Sequence, residues 1–108
     1  MRTDLPDARA RLRVLKALAS DPRLAVLAWL KDPVAHFRAQ VDGDLVKDGV
    51  CADFLREKLG ISPATASRHL TLLVEGGLLI ATRKKGWTFY RRNEAAIRSF
   101  VKAMQLHL

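Results

Sequence analysis

GISPATASRHLTLLVEGGLLIATRKKGWTFYRR, residues 60–92, is the stretch on which the fold turns. Ser62-Pro63 reads as a helix cap followed by proline at the first helical position, where its missing N–H costs nothing. The spacing predicts a helix over 64–75 that buries Ala66, Leu70, Leu73 and Val74. Gly76-Gly77 stops it. Leu78–Arg83 and Trp87–Arg92 then flank Lys84-Lys85-Gly86, which predicts a β-hairpin with glycine at its tip. With one side of the helix buried, Thr65, Ser67, Arg68 and Thr71 must occupy the other.

Upstream, Cys51–Leu59 has Cys51, Phe54, Leu55 and Leu59 on one face and Gly60 as its stop. Two helices across so short a turn have helix-turn-helix spacing, with the second as the reader. A basic hairpin beside them completes a winged helix-turn-helix, and double-stranded DNA is the expected partner. Arg68 can donate two hydrogen bonds to guanine O6 and N7, or hold a phosphate. Ser67 and Thr65 are short donors, and the amides near Ser62 suit a phosphate oxygen. From Arg83 to Arg92 the chain carries Arg83, Lys84, Lys85, Arg91 and Arg92 without an acid, with Trp87, Phe89 and Tyr90 as anchors. The plainer alternative is a surface helix beside a solvated hairpin whose lysines discourage edge pairing. A basic tip next to a reading helix is more specific than either piece alone.

The flanks extend the pattern. Leu5, Ala8, Leu12, Leu15, Leu18 and Ala19 predict a first helix over 5–19, with Arg9, Arg13 and Lys16 outside. Ser20-Asp21-Pro22 restarts the chain, and Leu24–Leu30 is apolar almost all round, so the second helix should be the most buried. Pro33–Gln40 suggests another helical turn or two, and 41–49, with Asp42, Asp44 and Asp48, a loop. Asn93 caps a last helix over 94–108 with a stripe of Ile97, Phe100, Val101, Met104 and Leu108. The expected class is mainly α with a small β-hairpin, in the order α-α-α-α-β-β-α, as a single domain over 1–108.

Composition narrows the function. The 108 residues carry a net charge of +8 and are 49% hydrophobic, which predicts a folded domain with an anionic partner. One cysteine excludes an intrachain disulfide and an all-cysteine zinc site within one chain. A reducing, cytoplasmic setting is expected. The N-terminus lacks a signal peptide's apolar core, and Leu24–Leu30 is too short to span a bilayer.

Leu18-Ala-Ser-Asp-Pro-Arg-Leu-Ala-Val-Leu resembles the second-helix signature of the arsenic-repressor (ArsR/SmtB) family of bacterial transcription regulators. Ser62-Pro-Ala-Thr-Ala-Ser-Arg-His-Leu, Glu75-Gly-Gly-Leu-Leu and Trp87–Arg91 resemble its recognition helix and wing, in the right order. The resemblance implies a homodimer joined through the helices over 5–19 and 94–108, the helix-turn-helix over 51–75, and the wing over 78–92. It implies repression of an imperfectly palindromic operator until a small-molecule or redox signal releases it. It puts Ser67 and Arg68 where the family contacts bases and phosphates. Pro63 departs from a commonly polar position.

Members that sense metals use a Cys-x-Cys pair opening the third helix, or Asp and His pairs on the last. Here the first is Cys51-Ala52-Asp53, and the last helix has only His107 and Glu94. No metal site and no cofactor are expected. Cys51, near a helix N-terminus, is open to a single-cysteine oxidation switch, although a free cysteine is more often a small core residue. Asp42-Gly43-Asp44 is like a calcium loop only faintly, since Val46 and Lys47 stand where a ligand and a glycine are needed. The stretch 33–49 is longer than the family's usual connection. Other classes are a winged-helix module that meets an acidic protein or RNA, and an enzyme. The latter lacks any constellation of nucleophile, base and orienting group.

Overall fold

A computed structural model describes residues 5–108 of the chain. The elements are α1 (Leu5–Leu18), α2 (Asp21–Leu30), α3 (Pro33–His36), β1 (Val50–Cys51), α4 (Ala52–Leu59), α5 (Pro63–Glu75), β2 (Leu79–Lys84), β3 (Trp87–Arg92) and α6 (Glu94–His107).

The caps form where their residues predict them. Ser20 Oγ accepts the Arg23 amide at 3.3 Å, Ser62 Oγ the Thr65 amide at 3.2 Å, and Asn93 Oδ1 the Ala96 amide at 3.1 Å. Each satisfies a donor that the helix start leaves without an intrahelical partner. At the end of α5, the Leu78 amide reaches back to the Leu73 carbonyl and the Gly77 amide to that of Val74, a Schellman closure.

One core holds these elements together. Val26, Leu27 and Leu30 of α2, Leu55 of α4, Leu70 and Leu73 of α5, and Val50, Leu78 and Leu79 are all buried in it, with Ala17 of α1. Phe89, at the centre of β3, is among the largest fully buried side chains.

Several expectations are corrected. The first helix ends at Leu18, and its core face is Val14, Ala17 and Leu18, while Leu12 and Leu15 are 49% and 45% exposed. The helix after Pro33 is a single turn that stops at His36. Cys51 lies in a short strand before α4 rather than inside the helix. That strand pairs antiparallel with β3, Val50 with Tyr90 and Cys51 with Phe89, so the wing is a three-stranded sheet in the order β1-β3-β2. The hairpin is tighter than expected: Lys84 pairs with Trp87, leaving a two-residue tip of Lys85 and Gly86. Both tip residues have positive φ, 53° and 81°, the conformation that matches strand twist in a two-residue turn.

The 41–49 segment is an ordered structure packed on the wing of its own chain. Asp44 Oδ1 accepts the amides of Val46 at 2.9 Å and Lys47 at 2.7 Å, which holds its carboxyl below the usual range. Gln40 ties the segment to β1 by donating to the Gly49 carbonyl at 2.9 Å and accepting the Cys51 amide at 2.7 Å. Gly43 lies flat on the Phe89 ring, where any Cβ would overlap the ring atoms.

Candidate nucleic-acid interface

α4 and α5 meet across Gly60, Ile61 and Ser62, with Gly60 in the left-handed conformation at φ 69°. Ala66, Leu70 and Leu73 lock the inner side of α5 into the core. Ser67, Arg68 and Thr71 are exposed on the outside. Ser62 and Thr65 are engaged with each other, their hydroxyls 3.0 Å apart within the cap. They can turn to a phosphate only by giving up part of that cap.

His69, between the inner and outer sides of α5, has a specific setting. Arg23 donates to its Nδ1 at 2.8 Å, and also to the carbonyls of Ala17 at 2.6 Å and Lys16 at 3.2 Å. Burial, followed by the charges of Arg23 and Arg68, lowers its tendency to protonate. Neutral His69 with Nδ1 as acceptor thus fixes α5 to the first two helices.

Strand alternation sorts the basic wing residues. Partners in register share a face, so Arg83 lies with Thr88, and Lys84 with Trp87. Thr88 and Tyr90 line a groove whose opposite wall is Ala66, Ser67 and Leu70 of α5, so Arg83 is on the reading-helix side. Lys84 faces the acidic segment, where its Nζ lies 3.1 Å from Asp48 Oδ2. Lys85 Nζ at the tip is 3.9 Å from Asp42 Oδ1. The carboxyl of Asp48 sits below its usual range, mainly through the Asp44 amide and then through Lys84. Arg91 is exposed but lies four residues from Trp87, about 13 Å along the strand, on the face away from α5. The structure therefore exposes Ser67, Arg68 and Thr71 on the outer side of α5, puts Arg83 on the sheet face that turns toward Ser67, and leaves Arg91 apart.

Sequence reasoning misses Arg56. It lines the same groove beside Ser67, and its Nε is buried without a hydrogen-bond partner. A basic residue on the first helix of a helix-turn-helix is the available signal.

Neutralising Asp48 should free Lys84 without disturbing the core. Lys84 then has no carboxylate to leave when it takes a phosphate, so Asp48→Asn should strengthen DNA binding by roughly two- to fivefold for every sequence alike. Titration of labelled duplex at several salt concentrations checks this; unchanged affinity and salt slope would mean Lys84 is not opposed by the segment.

Among the described residues no group of three or more His, Cys, Asp or Glu side chains is placed to hold a metal ion, and no helix is long and apolar enough to cross a membrane. Cys51 is 6% exposed.

A capped, half-exposed second helix beside a basic three-stranded wing defines a winged helix-turn-helix DNA-binding domain. The chain is 41% identical over 86 residues to an uncharacterized HTH-type transcriptional regulator, YbzH, of Bacillus subtilis, covering 80% of this chain and 86% of that one. Its fold is similar to the homodimeric winged helix-turn-helix DNA-binding domain of Mb0332 from Mycobacterium bovis, a possible ArsR-family transcriptional regulator. That match has a TM-score of 0.66 and 27% identity, over 96% of this chain and 83% of that one. It also matches the transcriptional repressor BigR from Xylella fastidiosa, with a TM-score of 0.57 and 24% identity over 100% and 96% of the two chains. A comparison with protein-family models finds no match. The chain belongs to the ArsR/SmtB family of winged helix-turn-helix transcription regulators, and it is a DNA-binding regulator.

Proposed function

We propose that the protein is a dimeric, sequence-specific repressor that reads an imperfectly palindromic operator with α5 and steadies it with the wing. The observation that carries this reading is the division of α5: Ala66, Leu70 and Leu73 fixed inside, Ser67, Arg68 and Thr71 exposed outside. Arg68 reads a base, Ser67 and Thr71 contact base edges or phosphates, and Ser62 with Thr65 holds the helix start against the backbone. Arg83, Lys84 and Lys85 grip phosphates beside the major groove. Arg91, on the face away from α5, is not among the groups that meet the duplex at the reading helix. Nothing in this reading calls for catalysis, a cofactor or a membrane, and a cytoplasmic location suits it.

The dimer reading draws on α1 and α6. No residue of α6 is buried, and Leu12, Leu15 and Val101 are each about half exposed. Apolar surface of that kind on two terminal helices favours self-association. Mb0332, described as homodimeric, offers the same fold in that state. Two reading helices then lie about one DNA turn apart, roughly 34 Å.

Binding selection from a random duplex library tests the proposal. It should return a two-fold-related motif, and Arg68→Ala should cost about 1–3 kcal/mol, or ~5- to 150-fold, and relax one base position per half-site. Normal affinity and preference in Arg68→Ala would remove Arg68 as reader. Equal binding to selected and scrambled duplexes would favour an RNA- or protein-interaction module instead.

A further inference from the structure

Arg23 of α2 is a three-way junction. Its Nε donates to the Ala17 carbonyl at 2.6 Å and its Nη2 to the Lys16 carbonyl at 3.2 Å, both in the last turn of α1. Its Nη1 meets His69 Nδ1 of α5 at 2.8 Å. A guanidinium has donors and no acceptor, so Nδ1 must be the bare ring nitrogen, and the proton of the neutral ring sits on Nε2. The two carbonyls hold the guanidinium in place, and it in turn holds the ring.

His69 stands at the edge of the buried stripe Ala66, Leu70 and Leu73, next to Arg68 in sequence. Apolar contacts along that stripe are non-directional, so they fix how closely α5 packs rather than its roll about its own axis. The Arg23–His69 bond is directional and opposes that roll. A roll of about 10° displaces a group at the ~6 Å outer radius of a helix by roughly 1 Å, enough to spoil a two-bond contact from Arg68 to a base edge.

We propose that Arg23 and His69 are positioning residues for the reading helix, and that uptake of a proton by His69 releases the helix from DNA. This inference rests on the DNA-reading function. A second ring proton turns Nδ1 from acceptor to donor, against a donor of like charge 2.8 Å away. The surrounding groups do not compensate. Arg23 faces the ring from α2 and Arg68 from α5, while α1 brings the two carbonyls that Arg23 already occupies and the exposed Lys16. Burial, then the charges of Arg23 and Arg68, holds the ring below the usual histidine range. Because the DNA-bound state needs the neutral ring, affinity is full above the His69 midpoint and is lost as pH falls through it. Simple electrostatics has the opposite sign, since an added cation tightens binding to phosphates.

The test is a pH series on a duplex recovered by selection, at constant ionic strength, with the His69 midpoint read from the ring ¹³C–¹H signals of the free chain. One unit below that midpoint about one ring in eleven is neutral, so a dimer that needs both rings should lose at least ~10-fold, and up to ~100-fold, relative to pH ~8. His69→Leu, which has no acceptor, should lose at least ~5-fold at pH ~8. His69→Asn, whose side-chain oxygen reaches about where Nδ1 does and does not titrate, should recover that loss and show no fall with acid. A parental affinity that stays level or rises with acid, or a His69→Asn profile that falls in step with the parent, would overturn the proposal. Should His69→Leu fail to fold, the other two profiles still decide. Absence of DNA binding at pH ~8 would count against the repressor reading instead. The α5 amides then decide the positioning pair: they should shift with the His69 midpoint in the parent and stay in place in His69→Asn, and amides that ignore the midpoint would overturn it.

Discussion

Raising salt from 50 to 200 mM should cost the dimer on the order of 10³–10⁵ in DNA affinity. Each cation that meets a phosphate releases a condensed counterion, so affinity falls as a power of salt concentration. A dimer making roughly 6–10 such contacts gives that range. Each protomer offers Arg68 on the outer side of α5, Arg83 on the sheet face toward α5, and Lys84 and Lys85 at and beside the wing tip. The acidic segment modifies the expectation. Lys84 and Lys85 leave Asp48 and Asp42 when they take phosphates, so part of their gain is exchange rather than new pairing. The slope should therefore lie toward the lower end of the range and steepen in Asp48→Asn. Fluorescence anisotropy across a salt series measures it. A slope near zero would leave the +8 charge without a role in binding.

Phe89→Ala should destabilise the fold by about 3–5 kcal/mol. The ring is 2% exposed, sits on the strand shared by β1 and β2, and covers Gly43 of the acidic segment. Its removal opens a cavity under three pieces of chain at once. A domain of this size has roughly 5–15 kcal/mol in total, so the variant should be marginal. Urea unfolding should show a midpoint lower by roughly 1.5–3.3 M at a slope of about 1.5–2 kcal/mol/M. Val41→Ala, at a 98% exposed position, should stay within ~0.5 kcal/mol of the parent. A loss below about 1 kcal/mol in Phe89→Ala would mean that the sheet and the segment are not organised around this ring.

The parts legible in the sequence are those whose signals are local. Ser62-Pro63, Gly76-Gly77 and the 3.6-residue spacing of Ala66, Leu70 and Leu73 each act within a few residues, so α5 and its exposed face are readable. α1 carries apolar residues on two faces, and spacing alone does not say which one meets the core; Val14, Ala17 and Leu18 do, and Leu12 and Leu15 do not. β1 is two residues long and has no period to detect, and its partners Phe89 and Tyr90 lie far along the chain. The acids of 41–49 are visible, but their pairing with Lys84 and Lys85 depends on a tertiary approach and on hairpin register. Starting the first wing strand one residue later and shortening the tip to Lys85-Gly86 sets which face Lys84 occupies. Charge counting sees a uniformly basic wing, whereas alternation divides it into a side facing α5 and a side facing the acids.

Affinity cleavage from α5 tests the central claim most directly. An iron–EDTA tether on Ser67→Cys, in a Cys51→Ser background, should break a selected duplex at two clusters about one helical turn apart, centred on the major groove of each half-site. A variant that binds with parental affinity yet leaves the duplex uncut, or cuts it without register, would show that DNA lies somewhere other than against α5.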